Sequence, residues 1–263
     1  MEIFGRVLPS YGVIGVSGGV LGLLLAMILA RIHHQDKKYT DDLVYIYVFA
    51  CIGAMIGAKL LYIFTVFPDF LQDLQYLFSD PSAFFRIYFS GGFVLYGGII
   101  GAYFTAEHMA GTYGRRLQDF YPSLLPALAL VCGIGRIGCF AAGCCYGIDA
   151  PPDCPIGVIF PAGGIAPAGV PLIPVQLIEA GVDFVLAGLM VVLTWHKRTR
   201  RCSLYVYAAV YALARFIIEF YRGDAVRGFW LGLSTSQWIS IAVVLAVGIC
   251  AVRRINISGF KSK

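Results

Sequence analysis

Charge is what this sequence has least of. Asp, Glu, Lys and Arg make up 13% of its 263 residues, where soluble globular domains carry about 25%. Histidine is also scarce, at four residues. Hydrophobic residues reach 59%, and they gather in long runs. This composition excludes a soluble enzyme, a disordered chain and a DNA-binding module in solution. The net charge of +5 does not change that conclusion, because the basic residues sit between apolar blocks and form no stripe for nucleic acid. Internal repeats are missing as well, so the matching halves that mark many transporters find no support.

What is present is a series of apolar runs. A bilayer core about 30 Å thick needs about 20 apolar residues per spanning helix. Seven such runs are predicted, near 11–30, 43–67, 92–110, 122–143, 174–195, 203–221 and 234–252. They do not alternate as β-barrel strands do. The fold class expected is therefore an all-α integral membrane protein: a seven-transmembrane helix bundle in which 1–263 forms a single polytopic domain. The first run follows one basic residue, Arg6, has no small-residue cleavage site, and reads as a retained helix. Thirteen Lys and Arg residues fall in the loops on one side of these spans and four, Arg6, Arg86, Arg222 and Arg227, on the other. That bias sets the N-terminus outside and the C-terminus in the cytoplasm. Residues 68–90 read as short amphipathic helices on the outer surface. Residues 144–173 hold six prolines and no Lys or Arg, and read as an ordered outer cap.

Charges inside the spans are costly and therefore informative. Arg136 sits within Gly133-Ile-Gly-Arg-Ile-Gly138 and has no acid three or four residues away. Arg215 and Glu219 share one helical face, as do Glu179 and Asp183. Such pairs can simply staple helices together. Two arginines in the outward half of a bundle also suit phosphate, because a guanidinium is a planar fork of donors. Phosphate is the charged group that a membrane always supplies. Lys59 reads as one half of a structural ion pair with an acid on a neighbouring helix. The glycines divide into two sets. Gly15–Gly19, Gly18–Gly22 and Gly53–Gly57 are small-xxx-small packing pairs. Gly91, Gly92, Gly97, Gly98 and Gly101 fit either packing or a backbone approach to a ligand.

The eight cysteines fall into two groups. Cys51, Cys132, Cys202 and Cys250 read as helix fillers. Cys139, Cys144, Cys145 and Cys154 cluster at the outer end of the fourth run. Their spacings match no tight zinc or iron–sulfur pattern, so no metal is expected. A Cys145–Cys154 disulfide and plain burial both fit. The four histidines lie at cytoplasmic helix ends and read as solvated boundary residues.

The motifs, taken together, resemble those of the prolipoprotein diacylglyceryl transferase family. Gly133-Ile-Gly-Arg136-Ile-Gly-Cys139-Phe-Ala-Ala-Gly-Cys144-Cys-Tyr-Gly147 is similar to that family's signature run. Tyr11-Gly12, Gly57-Ala-Lys59-Leu-Leu-Tyr62, Gly91-Gly-Phe-Val-Leu-Tyr96-Gly97-Gly98-Ile-Ile-Gly101, Pro174-Val-Gln176-Leu-Ile-Glu179, Arg215-Phe-Ile-Ile-Glu219-Phe-Tyr-Arg222 and Ser234-Thr-Ser-Gln237 resemble further family motifs in the same order. The resemblance implies transfer of the diacylglyceryl group of phosphatidylglycerol to the lipobox cysteine thiol of a preprolipoprotein. It also implies no cofactor, a monomer, and a place in the bacterial inner membrane. Arg136, Arg215 and Tyr96 would be catalytic. Tyr11, Gly97, Gly98, Cys139, Gly147, Gln176, Glu179, Glu219 and Gln237 would bind substrate.

Three positions depart from the family pattern. Tyr96 stands where the family has His, Cys139 where it has Asn, and Cys144 where it has Glu. A histidine titrates near pKa 6.5 and a tyrosine near 10, so Tyr96 is a poorer base. Alternatives therefore stay open: a paralogue of the same fold acting on another lipid or acceptor, a lipid or small-solute transporter built on the two arginines, or a cysteine-dependent redox or metal protein.

Overall fold

The computed structural model describes residues 2–3, 6–7, 10–89, 92–151, 153–161, 165–200, 202–223 and 228–260, of which 2–3, 6–7, 10–11, 197–198, 229 and 252–260 are described by their backbone alone. The Tyr11 side chain and Gly91 therefore lie outside the described residues, as do the side chains of Arg6, Lys197, Arg198, Arg201, Arg227 and the cations beyond residue 251.

The described chain is mostly helical. In order it forms α1 (Ser10–Ile32), α2 (Lys37–Thr65), α3 (Phe67–Gln72), α4 (Tyr76–Ser79), α5 (Pro81–Phe89), α6 (Leu95–Thr112), α7 (Tyr121–Ala141), α8 (Val175–Trp195), α9 (Lys197–Arg200), α10 (Ser203–Ile218) and α11 (Thr235–Phe260). Three two-residue antiparallel pairings join Glu2–Ile3 to Arg6–Val7, Val158–Ile159 to Pro171–Leu172, and Phe229–Trp230 to Leu233–Ser234. Five helical stretches are long and apolar enough to cross a membrane: Gly12–Ile32, Lys37–Thr65, Leu117–Ala141, Val175–Trp195 and Ser203–Tyr221. The protein is thus an all-α integral membrane protein. Helices also occupy the other two expected places. Glu107, His108 and four glycines dilute the hydropathy of α6, and in the last helix the apolar part is the shorter Thr235–Ala251. The segment read as surface helices forms α3, α4 and α5.

The chain divides into two compact units, Ala30–Phe120 and Met1–Leu29 with Tyr121–Lys263. In the first, Asp36 caps α2 by accepting from the Tyr39 N–H at 2.8 Å. α2 and α6 meet along glycines. A Cβ on Gly53 would lie 2.7 Å from the Gly101 carbonyl oxygen, and one on Gly57 would lie 3.0 Å from the Gly101 Cα, so only glycine allows this approach. Gly97 and Gly98 are buried in the same seam. At one end Arg115 Nε bonds the buried Asp42 carboxylate at 2.9 Å. Tyr39 stacks on Phe120 with ring centroids 4.7 Å apart. Lys59 sits among carbonyls and aromatic rings. Its ammonium donates to the carbonyls of Tyr88 (2.8 Å) and Gly92 (3.2 Å) and lies 4.4 Å above the Phe93 ring.

In the second unit, Gly18 lets α1 lie close to Ile134 of α7. Leu125, Ala129, Leu186, Ala187, Met190 and Tyr207 form a core shared by α7, α8 and α10. Gly133 faces the Phe184 ring, which brings α7 against α8 where the buried charges sit. All eight cysteines are free thiols, so the considered Cys145–Cys154 disulfide is not formed.

A buried arginine–glutamate cluster as the candidate active site

Glu179, one turn into α8 and 5% exposed, is the hub of the cluster. Its carboxylate receives Arg136 Nε of α7 at 2.7 Å and an Arg215 terminal nitrogen of α10 at 2.6 Å. Arg222, just beyond α10, reaches the same carboxylate at 3.7 Å. Arg215 also pairs with Glu219 one turn on and lies 3.5 Å from the Ser236 hydroxyl of α11. The counter-charge that Arg136 lacks on its own helix thus comes from α8. Counted against Glu179 and Glu219, the three guanidiniums leave one positive charge, before Asp183 is considered. Asp183 is 2% exposed, and its Oδ1 has no hydrogen-bond partner among the described residues.

A narrow cavity opens among these groups, lined by Arg136, Glu179, Asp183, Tyr211 and Arg215. It measures about 10 Å³, room for about one water. A phosphate cannot enter this arrangement unless a side chain moves.

The end of α7 forms the floor beside this cluster. Gly143, at φ +64°, closes the helix: its N–H bonds the Phe140 carbonyl at 3.1 Å, and the Cys144 N–H bonds the Cys139 carbonyl at 3.1 Å. This is a Schellman ending, which sets the side chains of Cys139 and Cys144 next to each other. Cys145 follows in the left-handed region at φ 60°, unusual for a residue with a side chain. The sulfurs of Cys139, Cys144 and Cys145 all lie within 4.8 Å of one another. The Cys145 thiol is held well below the usual thiol range, first by hydrogen bonds from Cys139 and Cys144 and then by the Arg222 guanidinium. Cys144 is pushed up by its side-chain hydrogen bonding with Cys139 and Cys145 and then by burial, and its S–H lies 3.6 Å from the Cys139 carbonyl oxygen.

Backbone ties lock this turn in place. Gln176 Nε2 donates to the Cys144 carbonyl at 2.8 Å. The Gly147 N–H bonds the Ile173 carbonyl at 3.1 Å, and a Cβ at Gly147 would lie 2.9 Å from the Tyr221 carbonyl oxygen. The Ile148 N–H bonds that same Tyr221 carbonyl at 2.9 Å, and Gly223 donates back to the Tyr146 carbonyl at 3.1 Å. These bonds join the signature run to the end of α10 and so hold Arg222 beside the thiols.

Of the residues singled out in the sequence, Arg136, Arg215, Glu179 and Glu219 converge directly, and Cys139, Gln176 and Gly147 frame them. Gln237 serves a different local purpose. Its side-chain oxygen accepts from the Ser234 N–H at 2.9 Å while its own N–H bonds the Ser234 hydroxyl at 3.2 Å. That reciprocal pair is a capping box for α11. Tyr96, Gly97 and Gly98 belong to the other unit, where Tyr96 is half-buried near the start of α6 and the two glycines serve the seam with α2. Arg222, which by loop position reads as an outer cation, also joins the cluster, and its place at the end of the Arg-x-x-x-Glu-x-x-Arg run is the sequence signal for it.

The chain is an all-α membrane protein with three buried guanidiniums around one carboxylate. Comparison with known proteins gives the class a name. Residues 1–253 match the family model described as prolipoprotein diacylglyceryl transferase. The chain is 36% identical over 249 residues to phosphatidylglycerol–prolipoprotein diacylglyceryl transferase 2 of Clostridium perfringens, covering 93% of this chain and 90% of that protein. It is 34% identical over 248 residues to the Clostridium tetani transferase, covering 93% and 92%, and 32% identical over 237 residues to that of Geobacter sulfurreducens, covering 86% and 84%. The chain belongs to the prolipoprotein diacylglyceryl transferase family.

Proposed function

We propose that this chain transfers the diacylglyceryl group of phosphatidylglycerol to the lipobox cysteine thiol of preprolipoproteins. The observation that carries this reading is the convergence of Arg136, Arg215 and Arg222 on the single carboxylate of Glu179. The names of the relatives supply the donor and acceptor classes. The enzyme acts as a multi-pass protein of the bacterial inner membrane, as one polytopic domain of seven spans. Its N-terminus faces outward, its C-terminus faces the cytoplasm, and it works as a monomer.

The reaction is a substitution at carbon. The substrate thiolate attacks the terminal glycerol carbon of the diacylglyceryl group, the carbon–sulfur bond forms, and the carbon–oxygen bond to phosphate breaks. Glycerol phosphate leaves with the electron pair, and charge grows on its phosphate oxygens. Preorganised cations in a dry site are worth most against such growing charge. In the resting site Glu179 keeps the three guanidinium groups aligned. The arriving phosphate takes over its donors, Arg136 presenting its fork and Arg215 staying anchored through Glu219. Gln176, Gly147 and Cys139 hold the backbone that frames the head group. Gln237 keeps α11 and Ser236 in position.

Rescue of a transferase-depleted bacterium by this chain is the test. Growth and diacylglyceryl-modified lipoprotein are expected, and a stably inserted chain that restores neither overturns the reading. The departures at Tyr96, Cys139 and Cys144 favour one second reading, a same-fold relative with a different lipid donor or acceptor. That reading predicts phospholipid binding by a chain that fails the rescue.

A further inference from the structure

We propose that Cys139, Cys144 and Cys145 form a three-thiolate site for a borderline-soft divalent cation such as Zn²⁺, whose fourth position accepts the thiol of the incoming substrate. The inference rests on the transferase reading for the identity of that thiol, and on the geometry of the cysteines for the metal.

Spacing alone argued against a metal, because Cys-x4-Cys-Cys is not a zinc-knuckle pattern. The Schellman ending of α7 removes that objection. It folds the chain so that the last-turn residue Cys139 and the third residue past the helix, Cys144, stand side by side, and the left-handed backbone of Cys145 turns the third thiol toward them. Zinc–sulfur bonds of about 2.3 Å place the sulfurs of a tetrahedral site about 3.8 Å apart. The three sulfurs here lie within 4.8 Å of one another, so small side-chain rotations close the site. Thiolate ligands select zinc and other soft cations over magnesium or calcium.

Charge supports the same assignment. Three thiolates and one divalent cation leave one negative charge, which matches the single positive charge left over in the guanidinium cluster, and Arg222 of that cluster is hydrogen-bonded to Cys145. A charged group that hydrogen-bonds a ligand also fixes its orientation. Among the described residues no fourth Cys, His, Asp or Glu joins the set. Structural zinc sites are closed by four protein ligands, whereas sites with three keep a position for a reactant. Cys144 and Cys145 are half-buried, so that position is not sealed by the protein. The cluster also lies close enough for Cys139 and Cys145 to act electrostatically on Arg136, one of the proposed phosphate ligands.

The chemistry balances. A free thiol, with pKa about 8.5, is mostly protonated at neutral pH. On binding the cation it gives its proton to water and becomes a bound thiolate. That sulfur attacks the glycerol carbon, the carbon–oxygen bond breaks, and the thioether product binds the metal more weakly and leaves. The metal changes neither oxidation state nor number.

The test uses the purified full chain in detergent, reduced and stripped by a chelator, then loaded with Zn²⁺ or Co²⁺ alone and freed of excess. One metal per chain is expected, with a thiolate-to-cobalt charge-transfer band. Cys144→Ser and Cys145→Ser should lose both, while Cys154→Ser keeps them. A lipobox peptide should raise the band by about one third as a fourth thiolate joins, and the same peptide with serine at the lipobox position should not. Wild-type protein that takes up no stoichiometric metal, or that carries a disulfide within the trio, overturns the site. A loaded chain blind to the peptide thiol overturns its proposed use, as does transfer undiminished in stripped protein. If metal and thiol bind but no thioether forms from phosphatidylglycerol, the site stands and the transferase reading is the one that fails.

Discussion

The two compact units hold their helices together by opposite means. In Ala30–Phe120, α2 and α6 touch through glycine backbone, with Gly53 and Gly57 against Gly97 and Gly101. In the unit that contains Tyr121–Lys263, α7, α8 and α10 meet through Arg136, Glu179 and Arg215. Lipid tails are as apolar as leucine, so neither seam gains from hydrophobic burial between helices. The glycine seam gains close dispersion contact. The ionic seam costs desolvation and gains Coulomb attraction, and the two nearly cancel. Its net worth to the fold is small, which makes chemistry the better reason for building one in the bilayer.

The comparison can be broken most decisively at Arg136. Arg136→Ala should lower diacylglyceryl transfer to a lipobox peptide by more than the roughly 10²–10³ that one oxyanion donor is worth. Arg136→Lys keeps the charge without the fork and should fall by about that amount. Arg215→Lys should lose less, because Glu219 can still hold an ammonium. Near-normal transfer by Arg136→Ala would make the ionic seam structural, like the glycine one.

Stability separates the seams next. Glu179→Ala leaves three guanidiniums without their shared carboxylate and should cost about 3–5 kcal/mol in thermal unfolding in detergent. Gly101→Leu forces side chain into the Gly53 and Gly57 backbone and should cost about 1–3 kcal/mol with overpacking as the cause. Glu179→Ala falling no further than a neutral surface substitution would erase the distinction. At the far end of the glycine unit, Arg115→Ala strands the buried Asp42 and should cost about 1–3 kcal/mol.

The smallest effect is a titration. Burial and a 2.7 Å hydrogen bond to Asp73 push the Tyr88 hydroxyl up to about 12. The raised value means that its stabilising share is complete below the free tyrosine value near 10 and fades as pH rises through about 12. Tyrosinate absorbance should show one late-titrating group that Tyr88→Phe removes.

Much of this was legible in the sequence. Apolar runs of about 20 residues located α1, α2, α7, α8 and α10, because the bilayer imposes a length that composition records. The intramembrane charges Arg136, Arg215, Glu179 and Glu219 stood out for the same reason. Their common centre did not: which carboxylate serves which arginine depends on how α7, α8 and α10 rotate about their axes. The closeness of Cys139 to Cys144 was hidden because it depends on Gly143 adopting a positive φ. The Ser234-x-x-Gln237 cap was readable as a capping-box pattern, but the resemblance drew it toward substrate binding.

Under the proposed reaction, Glu179 gives the resting cluster a means of selecting its anion. Its carboxylate already pairs with Arg136 and Arg215 and lies 3.7 Å from Arg222. A small anion from solution offers no more than Glu179 offers, and it lacks the advantage of being tethered. Only a phosphate that brings further binding energy from elsewhere in its molecule, such as two acyl chains in the surrounding lipid, can displace it. Inorganic phosphate should therefore be a poor competitor of the proposed reaction, even though the site is built from phosphate-binding side chains.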